Sequence, residues 1–394
     1  MSQPEVFVLS AARTAIGTFG GSLKDVPLTQ LATTAVREAL SRSGVQPADI
    51  GHVVLGNVIP TDVRDAYLSR VAAIESGIPQ ETPAFNVNRL CGSGLQAVVS
   101  AAQTLLLGEA DFAIGGGAEA MSRGPYFMAG ARWGARMGDV AATDYMLGIL
   151  HDPFYKIHMG ITAENVAERE GISREMQDQV AVESQKRAAR AIAEGRFKSQ
   201  IVPVEIATRK GTVLFDTDEH VRADATLEQL AKMKPAFKKD GSVTAGNASG
   251  LNDGAAALVL ASGQAVAARG LKPIARLVSY AHAGVDPAIM GLGPVPATQL
   301  ALQRAGLRVA DLDVIESNEA FAAQACAVTR KLDLDPSKVN PNGSGISLGH
   351  PVGATGAIIA TKAIYELQRI GGRYALVTMC IGGGQGIAAI FERA

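Results

Sequence analysis

Val26-Pro27-Leu28-Thr29-Gln30-Leu31-Ala32 returns late in the chain as Val295-Pro296-Ala297-Thr298-Gln299-Leu300-Ala301. The residues after each copy also match: Ala39-Leu40-Ser41-Arg42-Ser43-Gly44 and on to Ile50 is echoed by Ala301-Leu302-Gln303-Arg304-Ala305-Gly306 and on to Leu312. Chance supplies one such match; two in the same order indicate an internal duplication. The two matches lie seven residues further apart in the first copy (Val26 to Ala39 against Val295 to Ala301). That predicts a first helix longer by two turns, its apolar stripe returning to the same face.

Each copy then reads helix, glycine, short loop, strand: His52 to Asn57 in one, Asp313 to Asn318 in the other. Further on, each half carries a glycine turn, a helical stretch and an apolar strand ending in three glycines. These are Cys91 to Gly94, Leu95 to Leu107 and Asp111 to Ile114 before Gly115-Gly116-Gly117. Their counterparts are His350 to Gly356, Ala357 to Arg369 and Tyr374 to Cys380 before Gly382-Gly383-Gly384. Cys91 and His350 therefore occupy equivalent strand-to-helix turns of two α/β halves, and packing the halves face to face brings both turns to one interface. The middle of the chain has no counterpart and reads as an insertion. The expected division is residues 1-120 plus 250-272 for the first half, 121-249 for an inserted loop domain, and 273-394 for the second half.

At 394 residues the chain exceeds one ordinary core. A net charge of −1 argues against nucleic acid or an anionic membrane as partner, so any anionic ligand must meet a local basic patch. Three cysteines make no disulfide framework, and no Cys/His spacing suits a metal. Met1-Ser2-Gln3-Pro4-Glu5 runs straight into an apolar strand from Val6, without the basic and apolar regions of a signal peptide, and no run reaches membrane-spanning length. A cytoplasmic protein with reduced thiols is expected.

Cys91 opens a helix whose N-terminus favours thiolate, and Gly92-Ser93-Gly94 leave backbone N–H groups free to hold an oxyanion, which favours a nucleophile over a packing thiol. His350, taken alone, reads equally as a turn residue; paired with Cys91 by the duplication it reads as a proton acceptor. Cys380 in isolation is a core cysteine closing a strand, although a tuned thiol also serves as acid and base. Asn318-Glu319-Ala320-Phe321 precedes an alanine-rich helix, where Asn caps with Glu319 in support, or holds a water aimed at the site. Cys326 reads as packing, and His52, His151, His282 and Trp133 have no functional context.

With these residues in hand, the chain resembles the thiolases over essentially its whole length, specifically the bacterial acetyl-CoA acetyltransferase and β-ketothiolase branch. The likeness rests on Asn88-Arg89-Leu90-Cys91-Gly92-Ser93-Gly94, Gly116-Gly117-Ala118-Glu119-Ala120-Met121-Ser122, His158-Met159-Gly160, Gly246-Asn247-Ala248-Ser249-Gly250, Asn318-Glu319-Ala320-Phe321, Gly349-His350-Pro351 and Cys380-Ile381-Gly382-Gly383-Gly384. It implies an α/β fold of two duplicated βαβαβαββ halves stacked in five layers, with a loop domain between them.

The resemblance also implies roles: Cys91 acylated, His350 its activator, and Cys380 exchanging a proton with the α-carbon of the second acyl-CoA. One oxyanion hole would be His350 with a water held by Asn318, the other the N–H groups of Cys91 and Gly382. Coenzyme A, a substrate rather than a resident cofactor, would meet Leu150, His158, Met159, Arg222, Ala245, Ser249, Leu251 and Met290. The assembly would be a homotetramer, a dimer of dimers. Departures at Ser344, Ser317 and Ala120 remove no reacting group and leave acyl chain length open. The alternatives are a degradative 3-ketoacyl-CoA thiolase, a decarboxylating ketoacyl synthase, against which Cys380 argues, and a non-enzymatic scaffold.

Overall fold

Each half of the chain arranges its strands in the same spatial order. The computed structural model describes residues 5–394; Met1 to Pro4, where no targeting signal is expected, lie outside the described residues. In the first half Val6–Arg13, His52–Gly56, Ala84–Val87, Phe112–Ala120 and Asn252–Ser262 lie side by side as third, second, fourth, fifth, first. In the second half Ala275–Gly284, Val314–Ser317, Tyr374–Ile381 and Gln385–Arg393 repeat that order, the third strand shrinking to a parallel bridge between Ile315 and Val339. Parallel and antiparallel pairings match as well. The two first strands pair antiparallel (Val6 with Leu277, Phe7 with Arg276, Val8 with Ala275), which joins the two expected sheets edge to edge into one ten-stranded sheet, the tenth strand being the short Gly17–Thr18 paired with Asn252–Ser262.

Alternation along the strands sorts side chains into layers. Val53, Leu55, Ala257 and Val259 pack with the outer helix Leu28–Ser43, whereas Val54, Leu258 and Leu260 turn inward onto the helices Ser93–Leu106 and Thr355–Ile370. In the second half Leu376, Ala388 and Ile390 face the outer helix Pro294–Ala305, while Val377, Met379, Ile387 and Ala389 face the same central pair. The result is five layers: helix, sheet, helix, sheet, helix. Because both sheet faces are covered, the strands read as nearly unbroken apolar runs.

Two sequence expectations change. The repeated outer helices span 16 and 12 residues, so the first is longer by one turn, not two; the second starts earlier relative to the repeat, at Pro294. The strand Phe112–Ala120 also runs through Gly115-Gly116-Gly117 instead of stopping before them. A Cβ on Gly115 would come 2.6 Å from the Cα of Val98, so glycine lets the central helix lie directly on this strand. The two central helices meet equally closely. A Cβ on Gly94 would stand 2.8 Å from the backbone N of Ala357, and one on Gly356 would collide with Leu95. That contact holds the Cys91 and His350 turns together. No helix among the described residues is long and apolar enough to cross a membrane.

Candidate active site

Local hydrogen bonds lock the turn that presents Cys91. The Ser93 hydroxyl accepts from the Arg89 N–H at 2.8 Å and donates to the Leu90 carbonyl at 2.6 Å, while Asn88 Oδ1 accepts from the Leu90 N–H at 2.9 Å. Leu90 is thereby held at φ 46°, a left-handed conformation that leucine rarely adopts, immediately before the half-buried Cys91. The backbone N–H groups of Gly382 and of Cys91 itself face the sulfur. Burial raises the thiol pKa more than these donors lower it, and the nearby Glu119 raises it further.

His350 follows Gly349, whose φ of 105° and contact with the Asn252 side chain admit only glycine. Asn252 Oδ1 accepts from the His350 N–H at 2.9 Å. The imidazole Nδ1 lies 2.7 Å from Thr355 Oγ1, and that hydroxyl also donates to the Pro351 carbonyl at 2.9 Å. This network assigns the ring proton to Nδ1 and leaves the Nε2 lone pair 3.5 Å from Asn318 Nδ2. Burial depresses the imidazole pKa to about 4, so the ring is neutral at physiological pH.

Asn318 stands just beyond the strand Val314–Ser317, and its backbone N–H donates to the Thr378 carbonyl at 3.0 Å. This anchors it to the strand that carries Cys380. The capping account fails: the following helix begins at Ala322 with Phe321 at its cap and no side-chain bond there. Glu319 points away instead, accepting from Ser184 at 2.6 Å and Asn340 at 3.0 Å. Cys380 is fully buried opposite Gly386, and burial, then the adjacent Cys91, pushes its thiol well above the usual range. A Cβ on Gly382 would meet Leu90 at 3.3 Å and Met159 at 3.5 Å, so that residue sits between the Cys91 loop and the inserted segment.

The structure thus gathers Cys91, Cys380 and Gly382 on one side and His350 with Asn318 on another. Val352, two residues past His350, packs in the apolar cluster that holds Cys91. Of the residues expected to meet coenzyme A, Met159 and Met290 pack with Cys380, and Leu251 packs beside Cys91. The Leu150 carbonyl accepts from Met159 at 2.7 Å and the Ala320 carbonyl from Ser249 at 3.0 Å. His158 stacks on Phe237 at 4.7 Å and accepts from the Gly160 N–H at 3.0 Å. Arg222 and Ala245 are exposed on the insertion, Arg222 anchored through its N–H to Gln185 at 2.7 Å. Sequence reasoning missed Thr355, Asn252 and Glu119. A glutamate inside an apolar, glycine-rich strand was the available signal for the last.

The thiolase N-terminal domain model matches residues 6–264 and the thiolase C-terminal domain model matches residues 271–393. The chain is 68% identical to the β-ketothiolase BktB of Cupriavidus necator over 390 residues, covering 99% of each. It is 48% identical to an acetyl-CoA acetyltransferase of Rhizobium meliloti over 394 residues, covering 100% of each. The crystal structure of human mitochondrial 3-ketoacyl-CoA thiolase in complex with CoA superposes with a TM-score of 0.96 at 46% identity, covering 100% of this chain and 98% of that one. Likeness extends through both halves and the segment between them: the chain belongs to the thiolase family.

Proposed function

We propose that this chain is an acetyl-CoA C-acetyltransferase. It would join two acyl-CoA molecules reversibly into a 3-ketoacyl-CoA and free CoA, in ping-pong fashion, through an acyl-enzyme on Cys91. The observation that carries the reading is the Cys91 turn packed on the residues that follow Cys380, Gly92 against Ile381 and Leu90 against Gly382, with a neutral His350 paired with Asn318 in the matching turn. In the first half-reaction His350 Nε2 takes the Cys91 proton, the thiolate attacks the thioester carbonyl, and the proton passes to the departing CoA sulfur. The N–H groups of Cys91 and Gly382 hold the oxyanion. In the second, Cys380 in its thiolate form takes a proton from the α-carbon of the incoming acyl-CoA, the resulting carbanion attacks the acyl group on Cys91, the bond from that acyl carbon to the Cys91 sulfur breaks, and the proton passes from Cys380 to the released Cys91 thiolate. The enolate oxygen is met by His350 and a water held by Asn318. Thr355 serves both steps, because its hydroxyl accepts from Nδ1–H or, rotated, donates to bare Nδ1 and leaves Nε2 protonated.

Residues 121-249 supply the coenzyme A platform, with Met159, Met290 and Leu251 near the sulfurs and Leu150, His158, Arg222, Ala245 and Ser249 further along the ligand. The insertion also exposes Tyr126, Phe127, Trp133 and Met137, the last at 97%, an apolar surface suited to a homotetramer interface. A pair of reduced thiols suits the cytoplasm. Mass spectrometry after brief mixing with acetyl-CoA should find one acetyl group on Cys91; an unmodified Cys91 would end the proposal.

A second reading, thiolysis of longer 3-ketoacyl-CoA substrates, draws on the apolar cluster of Val58, Ile59, Met121, Met146 and Val352 against Cys91. Thiolysis rates that climb steadily from acetoacetyl to decanoyl substrates would favour it over acetyl transfer.

A further inference from the structure

Glu119 takes no part in the acyl transfer itself, yet it is fully buried within the strand Phe112–Ala120. Its Oε1 accepts from the Ile59 N–H at 3.0 Å and from Asn57 Nδ2 at 2.8 Å. Its Oε2 accepts from the Val58 N–H at 3.1 Å and from the Gly353 N–H at 2.8 Å. These donors come from two separate loops: residues 57–59, after the strand His52–Gly56, and the turn that carries His350. Every partner is a donor, so the pocket is built for two acceptor oxygens. The fit is also steric, since a Cβ on Gly353 would reach within 2.5 Å of Oε2.

What the carboxylate holds is the surround of the nucleophile. Val58, Ile59 and Val352 belong to the apolar cluster against which Leu90 and Cys91 pack. Val58 and Ile59 are bonded directly through their N–H groups, and Val352 precedes the bonded Gly353.

The geometry points to Glu119 as a positioning residue for Cys91: its carboxylate ties the first half's 57–59 loop to the second half's His350 turn and so sets the wall against which the thiol packs. This inference rests on Cys91 being the acylated residue. Electrostatics supplies an independent handle. Glu119 is pushed by burial up to about 8, with Asp253 adding to the rise, whereas Cys91 titrates above its ordinary value of 9.0; Glu119 is therefore charged where the thiol ionises and opposes it. The other groups facing the thiol are the N–H groups of Cys91 and Gly382. Cys380 is coupled to it, and His350 is neutral throughout that range.

The test compares Glu119→Gln and Glu119→Asp with the unaltered enzyme by two readouts: the rate of Cys91 acetylation from acetyl-CoA, and the pH midpoint of Cys91 alkylation by iodoacetamide, located by peptide mass spectrometry. At pH 9, where Glu119 is ionised, Glu119→Gln sets an amide NH2 against two N–H donors, so acetylation should slow by about 10²-fold, with the KM for acetyl-CoA within about threefold. Its alkylation midpoint should fall by about one pH unit, because the opposing charge is gone. Glu119→Asp keeps the charge but withdraws its reach, so acetylation slows while the midpoint stays in place. Acetylation by Glu119→Gln within twofold of the parent, or an unmoved midpoint, overturns the inference. If Glu119→Gln does not fold, parental acetylation by Glu119→Asp overturns it equally. Absence of acetylation in the parent would instead refute the acyl-enzyme reading, while the alkylation midpoints still report on Glu119.

Discussion

His350 is fixed from both ends of its ring: Nε2 faces Asn318 Nδ2 at 3.5 Å, and Nδ1 meets Thr355 Oγ1 at 2.7 Å. Thr355 belongs to the helix after the turn, and Asn318 hangs on the strand neighbouring that of Cys380. The imidazole therefore inherits its orientation from two rigid elements of the second half, while Cys91, its partner in the proposed mechanism, comes from the first.

Thr355→Val keeps the shape of the side chain and deletes its oxygen. A buried Nδ1–H left without a partner costs about 1–3 kcal/mol, or roughly 10–10² in rate if the whole loss falls on the transition state. Turnover should drop by that factor, and Thr355→Ser should restore most of it. Steady-state kinetics of the two variants decides; a valine variant within twofold of the parent would show that Thr355 does not orient the ring.

Acid should spare the chemistry longer than a free histidine allows. Burial holds the His350 pKa at about 4, below its ordinary 6.5, and in the proposed mechanism the neutral ring is the base. Cys91 acetylation should therefore keep its rate through pH 6 and fall only toward pH 4. The same shift makes stability pH-dependent: the unfolded state binds the proton first, so this contribution is present above about 6.5 and lost as pH falls toward 4. Stopped-flow acetylation and melting curves between pH 4 and 7 separate the two effects. An acid limb centred near 6.5 would contradict the buried, neutral ring.

The duplicated order of strands and helices was legible because Val26 to Ile50 and Val295 to Leu312 preserve both their turn residues and their apolar spacing. Cys91, His350 and Cys380 were legible because few residue types do their chemistry, and because two of them lie in glycine-rich turns and Cys380 ends a strand just before one. Thr355 and Asn252 were not, since a hydroxyl or amide in a turn looks the same whether it orients a catalytic ring or satisfies backbone. Asn318 reads partly as a cap in the sequence because its distance from the helix start is a tertiary matter. The edge-to-edge joining of the sheets was invisible for the same reason: the Val6–Leu277 pairing depends on how the two halves dock.

Asn318→Ala should divide the two half-reactions. In the proposed mechanism the amide supports the enolate of the second step, and it contacts neither Cys91 nor Gly382 through any hydrogen bond among the described residues. Loss of one oxyanion support costs about 10²–10³ in turnover. Condensation should fall by that factor, whereas acetylation of Cys91 from acetyl-CoA should stay within about tenfold of the parent. Single-turnover acetylation set beside steady-state condensation reads both; equal losses in the two would place Asn318 in the first step.

Behind Asn318 lies a buried ion pair. Lys362 Nζ stands 2.7 Å from Glu316 Oε2, both side chains essentially inaccessible, and also donates to the Gly343 carbonyl at 2.6 Å. Glu316 is two residues before Asn318 on the same segment, and its other oxygen has no partner. Replacing Lys362 by Met leaves that carboxylate buried without its cation, which should cost about 3–5 kcal/mol. Pairing Lys362→Met with Glu316→Leu removes both charges and should recover most of the loss. The pH dependence gives the sign. Burial already pushes the Glu316 carboxyl up to about 7 even with Lys362 present, so the folded state holds its proton more tightly than the unfolded chain does. This group therefore stabilises least above pH 7, and more as pH falls toward its ordinary 4.5. Without Lys362 the carboxyl becomes harder still to ionise, and the deficit of the single variant should shrink at pH 5 relative to pH 8. Urea unfolding midpoints at the two pH values measure it; a deficit independent of pH would mean that lost packing around the lysine stem, not the stranded charge, destabilises the variant.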